Sequence, residues 1–195
     1  MKTEYLLKKE LERVLAVLTP VNRLIVRTMI ETGLRISDVL SLEFWQISNN
    51  FWVTERKTGK RKHVGLSTQL VDDIRASAAE YIPREVIRDA AGKKKGAATA
   101  WAFPSPRDWR NHRTRQGVWK DIKRAARAFR IDANVAPHSM RKYYAVELMK
   151  KYGDIERVRR ALNHSDTSIT LIYAMADSLV SAGRLAKISG ASKRR

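Results

Sequence analysis

The sequence predicts a mainly α-helical chain with a small three-stranded antiparallel β-sheet, an α+β arrangement weighted to helix. Three observations predict it. Apolar residues recur at helical spacing over most of the chain. One stretch, from Phe44 to Leu66, is instead rich in strand formers and broken by two turn signals. Gly, Pro and basic residues then concentrate between residues 83 and 115, as expected of a surface excursion.

The elements follow in order. Leu7, Leu11, Val14, Leu15 and Leu18 mark an amphipathic helix over residues 4–18. Pro20 suits the first turn of a second helix that runs through Ile30, because a proline there gives up an amide that has no helical partner. Thr32-Gly33 interrupts it, and Leu34, Val39 and Leu42 indicate a short third helix. Phe44, Trp45, Ile47, Phe51, Trp52 and Val53, with turns at Asn49-Asn50 and Lys57-Thr58-Gly59-Lys60, predict three strands with Lys57 at the end of the middle one. Residues 68–81 return to helix, and the excursion at 83–115 is anchored by Trp101 and Phe103. Val118, Ile122, Ala125 and Phe129 mark a further helix, and helices over 138–151, 154–162 and 167–176 close the domain, the last capped by Ser165 or Asp166.

The charge balance narrows the partners. There are 39 Lys and Arg against 20 Asp and Glu, a formal net charge of +19, which attracts polyanions. Residues 91–130 alone hold twelve basic residues and two acids. Lys120, Lys123, Arg124 and Arg127 lie on the helix face opposite the apolar stripe and are the candidate DNA-phosphate contacts; a merely solvated face is the alternative. The chain has no cysteine, which excludes disulfides and thiolate metal sites and fits a reducing cytoplasm. No run approaches the roughly 20 apolar residues that cross a bilayer, so no membrane-spanning helix is expected. An anionic membrane surface and mere solubility are the weaker alternatives to a nucleic acid as the reason for the charge, and no membrane partner is expected. Phosphate-loop, His-Glu-x-x-His and Gly-x-Ser-x-Gly motifs are all missing, which removes sequence support for nucleotide hydrolysis, zinc proteolysis and esterase chemistry.

The remaining chemistry-bearing residues are individually ordinary. His138 and Arg141, behind Pro137, share one face at a helix N-terminus, where anions are favoured, but an internal ion pair explains them equally well. Arg141 also shares its face with Ala145 and Leu148 and so needs an anionic partner, internal or bound. Arg35 could simply pair with Asp38. Lys57 could be a solvated turn lysine, His164 a partly buried histidine, and Tyr173 a core residue with its hydroxyl at the rim.

Their order is what distinguishes them. Thr-Gly-Leu-Arg35, Lys57 in a β-turn, Pro-His138-x-x-Arg141, Leu-x-His164-Ser and Ile-Tyr173 together resemble the tyrosine recombinase (phage integrase) family over roughly residues 4–180. Arg141 and His164 are 23 residues apart, and His164 and Tyr173 nine, as that family's pattern has them. The resemblance implies the family's catalytic-domain fold over residues 1–180. Residues 181–195 would then form a basic C-terminal tail or an exchange segment, and the family's N-terminal core-binding domain would be absent. The chain would be either a fragment or a short member like those that invert fimbrial promoter segments.

The resemblance also implies roles that suit the residue types. Arg35 and Arg141 would clamp the oxygens of a scissile phosphodiester through bidentate bonds, and His164 would add a hydrogen bond. Tyr173 would attack to form a 3′-phosphotyrosine and release a 5′-hydroxyl. Its reference pKa of about 10 calls for a cationic pocket or a base, and His138 is that base or its orienter. Lys57 would protonate the leaving 5′-oxygen, and Asp38 would buttress the site. No cofactor and no metal are implied, because the arginines supply the charge. The implied partners are double-stranded DNA, further copies of the chain forming a tetramer on DNA in synapsis, and accessory DNA-bending proteins.

One departure and three rivals accompany this reading. Asn163 replaces the glycine that the family usually has before the motif histidine; if that position needs a positive φ, Asn is the next most tolerant residue. Asp38, Glu55 and Lys57 imitate a Mg²⁺-dependent nuclease motif, which would leave Arg35, Arg141, His164 and Tyr173 idle. A type IB topoisomerase would share the nucleophile. A non-catalytic DNA-binding module would share the charge.

Overall fold

The computed structural model describes residues 3–91 and 99–163. Within them lie eight α-helices and one antiparallel pair of strands. Helix α1 spans Lys8–Val17, and the Glu10 carboxylate accepts the Leu7 amide at 2.8 Å to close its first turn. Helix α2, Pro20–Thr32, begins on the expected proline and runs through the centre of the domain, with Leu24, Ile25, Val26 and Met29 buried. It ends at Gly33 in the left-handed conformation (φ 65°), and the short α3, Ile36–Leu40, follows.

The sheet is smaller than the sequence predicts. Strands β1 (Asn50–Thr54) and β2 (Arg61–Gly65) pair with Phe51 opposite Val64 and Val53 opposite Lys62. The expected first strand is instead a 3₁₀ turn at Phe44–Gln46. The Gln46 side chain reaches back to accept the Glu43 amide at 2.9 Å, and the Gln46 amide donates to the Glu43 carbonyl at 3.0 Å. Those bonds satisfy locally what a sheet ladder would otherwise satisfy. Only an isolated bridge from Glu43 to Trp101 remains of the third strand. Lys57 accordingly sits in the hairpin turn between β1 and β2 and not at the end of a middle strand.

Helix α4, Thr68–Ala79, packs on α2. The excursion contains a helix that its composition hides, α5 at Arg84–Ala91, and Phe103 is fully buried as its anchor. Helix α6, Arg115–Ala128, is capped by Thr114, whose hydroxyl accepts the Gly117 amide at 3.1 Å. Helix α7, Pro137–Tyr152, crosses α2, and α8, Ile155–Ala161, is capped by Asp154. The expected helix over 167–176, with its cap, lies outside the described residues, as does the tail at 181–195. None of the described helices is long and apolar enough to cross a membrane.

Candidate active site

The turn after α2 sets the geometry. Gly33 holds a positive φ, and a Cβ built on it would sit 2.3 Å from the Tyr144 ring of α7, so both conformation and packing demand glycine. This turn places Arg35 at the N-cap of α3 and delivers the Gly33 carbonyl to Arg141, whose Nη1 donates to it at 2.6 Å. Arg141 Nη2 donates to the Leu162 carbonyl at 2.5 Å, two residues before His164. The guanidinium is only 3% exposed, so these bonds fix its plane.

A carboxylate links the two arginines. Arg35 Nη1 donates to Glu55 Oε2 at 2.8 Å, and Arg141 Nη1 lies 3.7 Å from Glu55 Oε1. Glu55 is fully buried because it continues the inward-facing alternation of Phe51 and Val53 beyond the end of β1. Burial works to raise its pKa, but hydrogen bonds from Arg35 and Thr58 and the charges of Arg35 and Arg141 outweigh it, leaving the carboxyl below its ordinary value. The local Arg35–Asp38 pair that the sequence allows does not form. Asp38, fully buried, accepts the Arg56 amide at 3.0 Å instead.

Those carboxylates also place Lys57. Asp38 holds Arg56 on one side of it, and Thr58 on the other side donates to Glu55 Oε2 at 3.0 Å. Gly59, at φ 66°, closes the turn by donating its amide to the Glu55 carbonyl at 2.8 Å. Arg35, Lys57, His138 and Arg141 thereby line one cavity of about 420 Å³. His138 is at its solvent-accessible rim, and its pKa is lowered by desolvation and by the charges of Arg141, Lys142 and Arg35. Its imidazole is therefore uncharged at neutral pH, and the lowered pKa makes it a weaker base until a bound anion offsets those charges. Arg115 and Trp119 of α6 line the same cavity. Arg115 belongs to the basic run at 83–115, but nothing in the sequence assigns it or Trp119 to this site; both reach it because α6 packs beside α3 and α7.

The four basic residues proposed from α6 separate. Lys120 and Arg124 face a second cavity together with Arg107 and Arg113, while Arg127 is exposed. Lys123 donates to Asn134 Oδ1 at 2.6 Å. Arg124 is already engaged, donating to Asp121 Oδ1 at 2.6 Å and to the Val17 carbonyl at 2.6 Å. Asp121 in turn accepts from Thr19 and Asn22 and pins α6 to the start of α2. Asn163 has φ 51°, which meets the expectation that the position before the motif histidine needs a residue tolerant of the left-handed region. His164 and Tyr173 lie outside the described residues.

Comparison with known proteins places this arrangement. The model of the phage integrase family matches residues 4–178. The chain belongs to that family. It is 30% identical over 155 residues to tyrosine recombinase XerD of Lacticaseibacillus casei, covering 78% of this chain and 49% of that protein. It is 32% identical over 153 residues to tyrosine recombinase XerD of Ralstonia nicotianae, covering 78% of this chain and 47% of that protein. The chain thus spans about half the length of these curated relatives. Its fold is similar to that of XerA recombinase, with a TM-score of 0.68 at 19% identity over 89% of this chain and 61% of that one. It also resembles the catalytic domain of bacteriophage HP1 integrase, with a TM-score of 0.59 at 21% identity over 96% and 98% of the two chains.

Proposed function

We propose that this chain is the catalytic part of a site-specific DNA recombinase, with Tyr173 as the nucleophile. The observation that carries the reading is the convergence of Arg35, Lys57, His138 and Arg141 on one cavity, with Arg35 held by Glu55 and Arg141 held by two backbone carbonyls beside the same carboxylate. The guanidiniums are set before substrate arrives, so little reorganisation accompanies the gain of charge on a phosphodiester's oxygens. In the proposed step a bond forms between the Tyr173 phenolic oxygen and phosphorus while the bond to O5′ breaks. Neutral His138 takes or relays the phenolic proton, and Lys57 delivers a proton to O5′. His164 would add a hydrogen bond to the phosphoryl group, and reversal of the step rejoins the strand.

The nuclease alternative would need Asp38 and Glu55 to bind Mg²⁺. Asp38 instead holds a backbone amide and Glu55 two arginines, and no metal-binding group of three His, Cys, Asp or Glu occurs among the described residues. No observation favours topoisomerase activity or a non-catalytic role.

Double-stranded DNA is the proposed substrate, with residues 1–180 as the catalytic unit and the nucleoid as its place of action. XerH is known bound to a difH substrate, and lambda integrase as a tetramer on a Holliday junction. By analogy we assign this chain a DNA-bound tetramer, with residues 181–195 as tail or exchange segment and DNA-bending proteins as accessory factors. The test is to incubate the chain with a pool of nicked duplexes of randomised sequence in EDTA. The expected product is a covalent protein–DNA adduct; cleavage that strictly requires Mg²⁺ and leaves no adduct contradicts the proposal.

A further inference from the structure

Lys62 is a buried cation to which the proposed reaction assigns no task. It occupies an inward-facing position of β2, opposite Val53, and is 7% exposed. An apolar residue would satisfy that register, and an ammonium there loses its hydration. Its surroundings do not form a simple ion pair, since Arg141 of α7, Arg35 before α3, Glu55 beyond β1 and Asp38 of α3 all act on it. Its Nζ donates to the Thr32 carbonyl at 2.6 Å and lies 5.3 Å from the centre of the Tyr144 ring.

The contacts converge on one turn. Thr32 ends α2, where carbonyls lack helical partners and the helix dipole favours cations. The next carbonyl, that of Gly33, accepts Arg141. Two buried cations thus hold consecutive carbonyls, and the chain leaves this turn directly into Arg35. The Tyr144 ring beneath Lys62 is the same ring that leaves no room for a Cβ on Gly33. We infer that Lys62 is a positioning residue for the arginine pair, fixing the Thr32–Gly33 turn from which Arg35 departs and onto which Arg141 anchors. The inference rests on the recombinase reading of that site.

Desolvation, together with the repulsion of Arg141 and Arg35, outweighs the attraction of Glu55 and Asp38 and lowers the Lys62 pKa to about 7. As pH rises above about 7 the ammonium discharges and its bond to Thr32 weakens. Tyr144, whose ring faces it, has a raised pKa and stays neutral through this range, and His63, Asp154, Arg157 and Arg160 also line a cavity with Lys62. A bound phosphate shifts that window upward.

The experiment measures covalent adduct formation at saturating nicked DNA for wild type, Lys62→Met and Lys62→Arg. Misplacement of the clamp predicts a roughly tenfold or larger loss of rate in Lys62→Met, with DNA affinity within about threefold. Lys62→Arg, which keeps a charged donor, is expected to retain more of the rate and to lose the wild-type decline above pH 7. A folded Lys62→Met with the wild-type rate overturns the inference, as does a loss confined to DNA affinity. If Lys62→Met does not fold, superimposable pH profiles of wild type and Lys62→Arg overturn it. If wild type forms no adduct, the recombinase reading fails, and inorganic phosphate becomes the probe. Thermal stabilisation by phosphate that is lost in Arg141→Ala should then shrink several-fold in Lys62→Met or, failing that variant, should decline above pH 7 in wild type but not in Lys62→Arg; the opposite result overturns the inference.

Discussion

Replacing Glu55 by Gln removes the charge between Arg35 and Arg141 while keeping the side chain's shape. In the wild type, Oε2 accepts from Arg35 at 2.8 Å and Oε1 lies 3.7 Å from Arg141, with the carboxylate fully buried. Breaking a buried pair by removing one partner costs about 3–5 kcal/mol. The Arg35 side chain is 24% exposed and partly screened by solvent, so the low end applies, about 3 kcal/mol. For a domain of this size that lowers Tm by roughly 6–12 °C at neutral pH. The folded carboxyl has a lowered pKa, so its contribution is fully present above the unfolded value of about 4.3 and disappears as pH falls through the folded value. Differential scanning calorimetry of both proteins from pH 7 to pH 3 should therefore show the gap closing in acid. Inorganic phosphate should also stabilise the variant more than the wild type, because it restores an anion between the guanidiniums. A Glu55→Gln protein that melts within about 1 °C of wild type at pH 7 would falsify the account of how the arginines are held.

Four further outcomes are expected. Gly33→Ala must drive a methyl into the Tyr144 ring at positive φ, and urea unfolding should register a loss of several kcal/mol, at least about 2. Lys57→Ala should slow adduct formation about 10²–10⁴-fold, and a substrate with sulfur as the 5′-bridging atom should recover most of that, since a thiolate leaves without a proton; no recovery removes Lys57 as the acid. Lys120→Ala is expected to weaken binding to every DNA sequence and reduce the slope of log K against log salt by about one, whereas Arg124, tied to Asp121 and Val17, should contribute less. Lys62 has a folded pKa of about 7, below the unfolded value of about 10.4, so the unfolded state binds the extra proton between them. Stability of the wild type relative to Lys62→Met should thus rise with pH from about 7 towards 10 in thermal melts, and a flat difference would contradict the assigned shift.

Most of the described helices were legible because their apolar residues repeat at helical spacing and Pro20, Gly33 and Pro137 mark their ends, whereas α5 was hidden in a stretch of Gly, Pro and basic residues. Arg35, Lys57, His138 and Arg141 were legible as an ordered set, and the structure places all four on one cavity. What stayed hidden was hidden for physical reasons. A strand-forming composition at Phe44–Gln46 gave way to side-chain bonds at Glu43 and Gln46 that close a turn. The local alternative for Arg35 was Asp38, its neighbour in sequence, whereas Glu55 is brought to both arginines by hairpin register. That register was readable: Phe51 and Val53 facing inward place Glu55 inward, and Val64 does the same for Lys62. Charge on α6 was visible, but the partners that engage Arg124 and Lys123, the buried Asp121 and Asn134, were not.

The central claim is that Tyr173 is the nucleophile served by the Arg35–Arg141 clamp. Its most direct test compares wild type with Tyr173→Phe on labelled nicked duplexes, separating covalent adducts under denaturing conditions and mapping the modified peptide by mass spectrometry. The account predicts a wild-type adduct on the peptide containing Tyr173, and none in the variant, which should still bind DNA within a few-fold of wild type. Adduct at normal yield from Tyr173→Phe, or a wild-type adduct mapped to another residue, would contradict it.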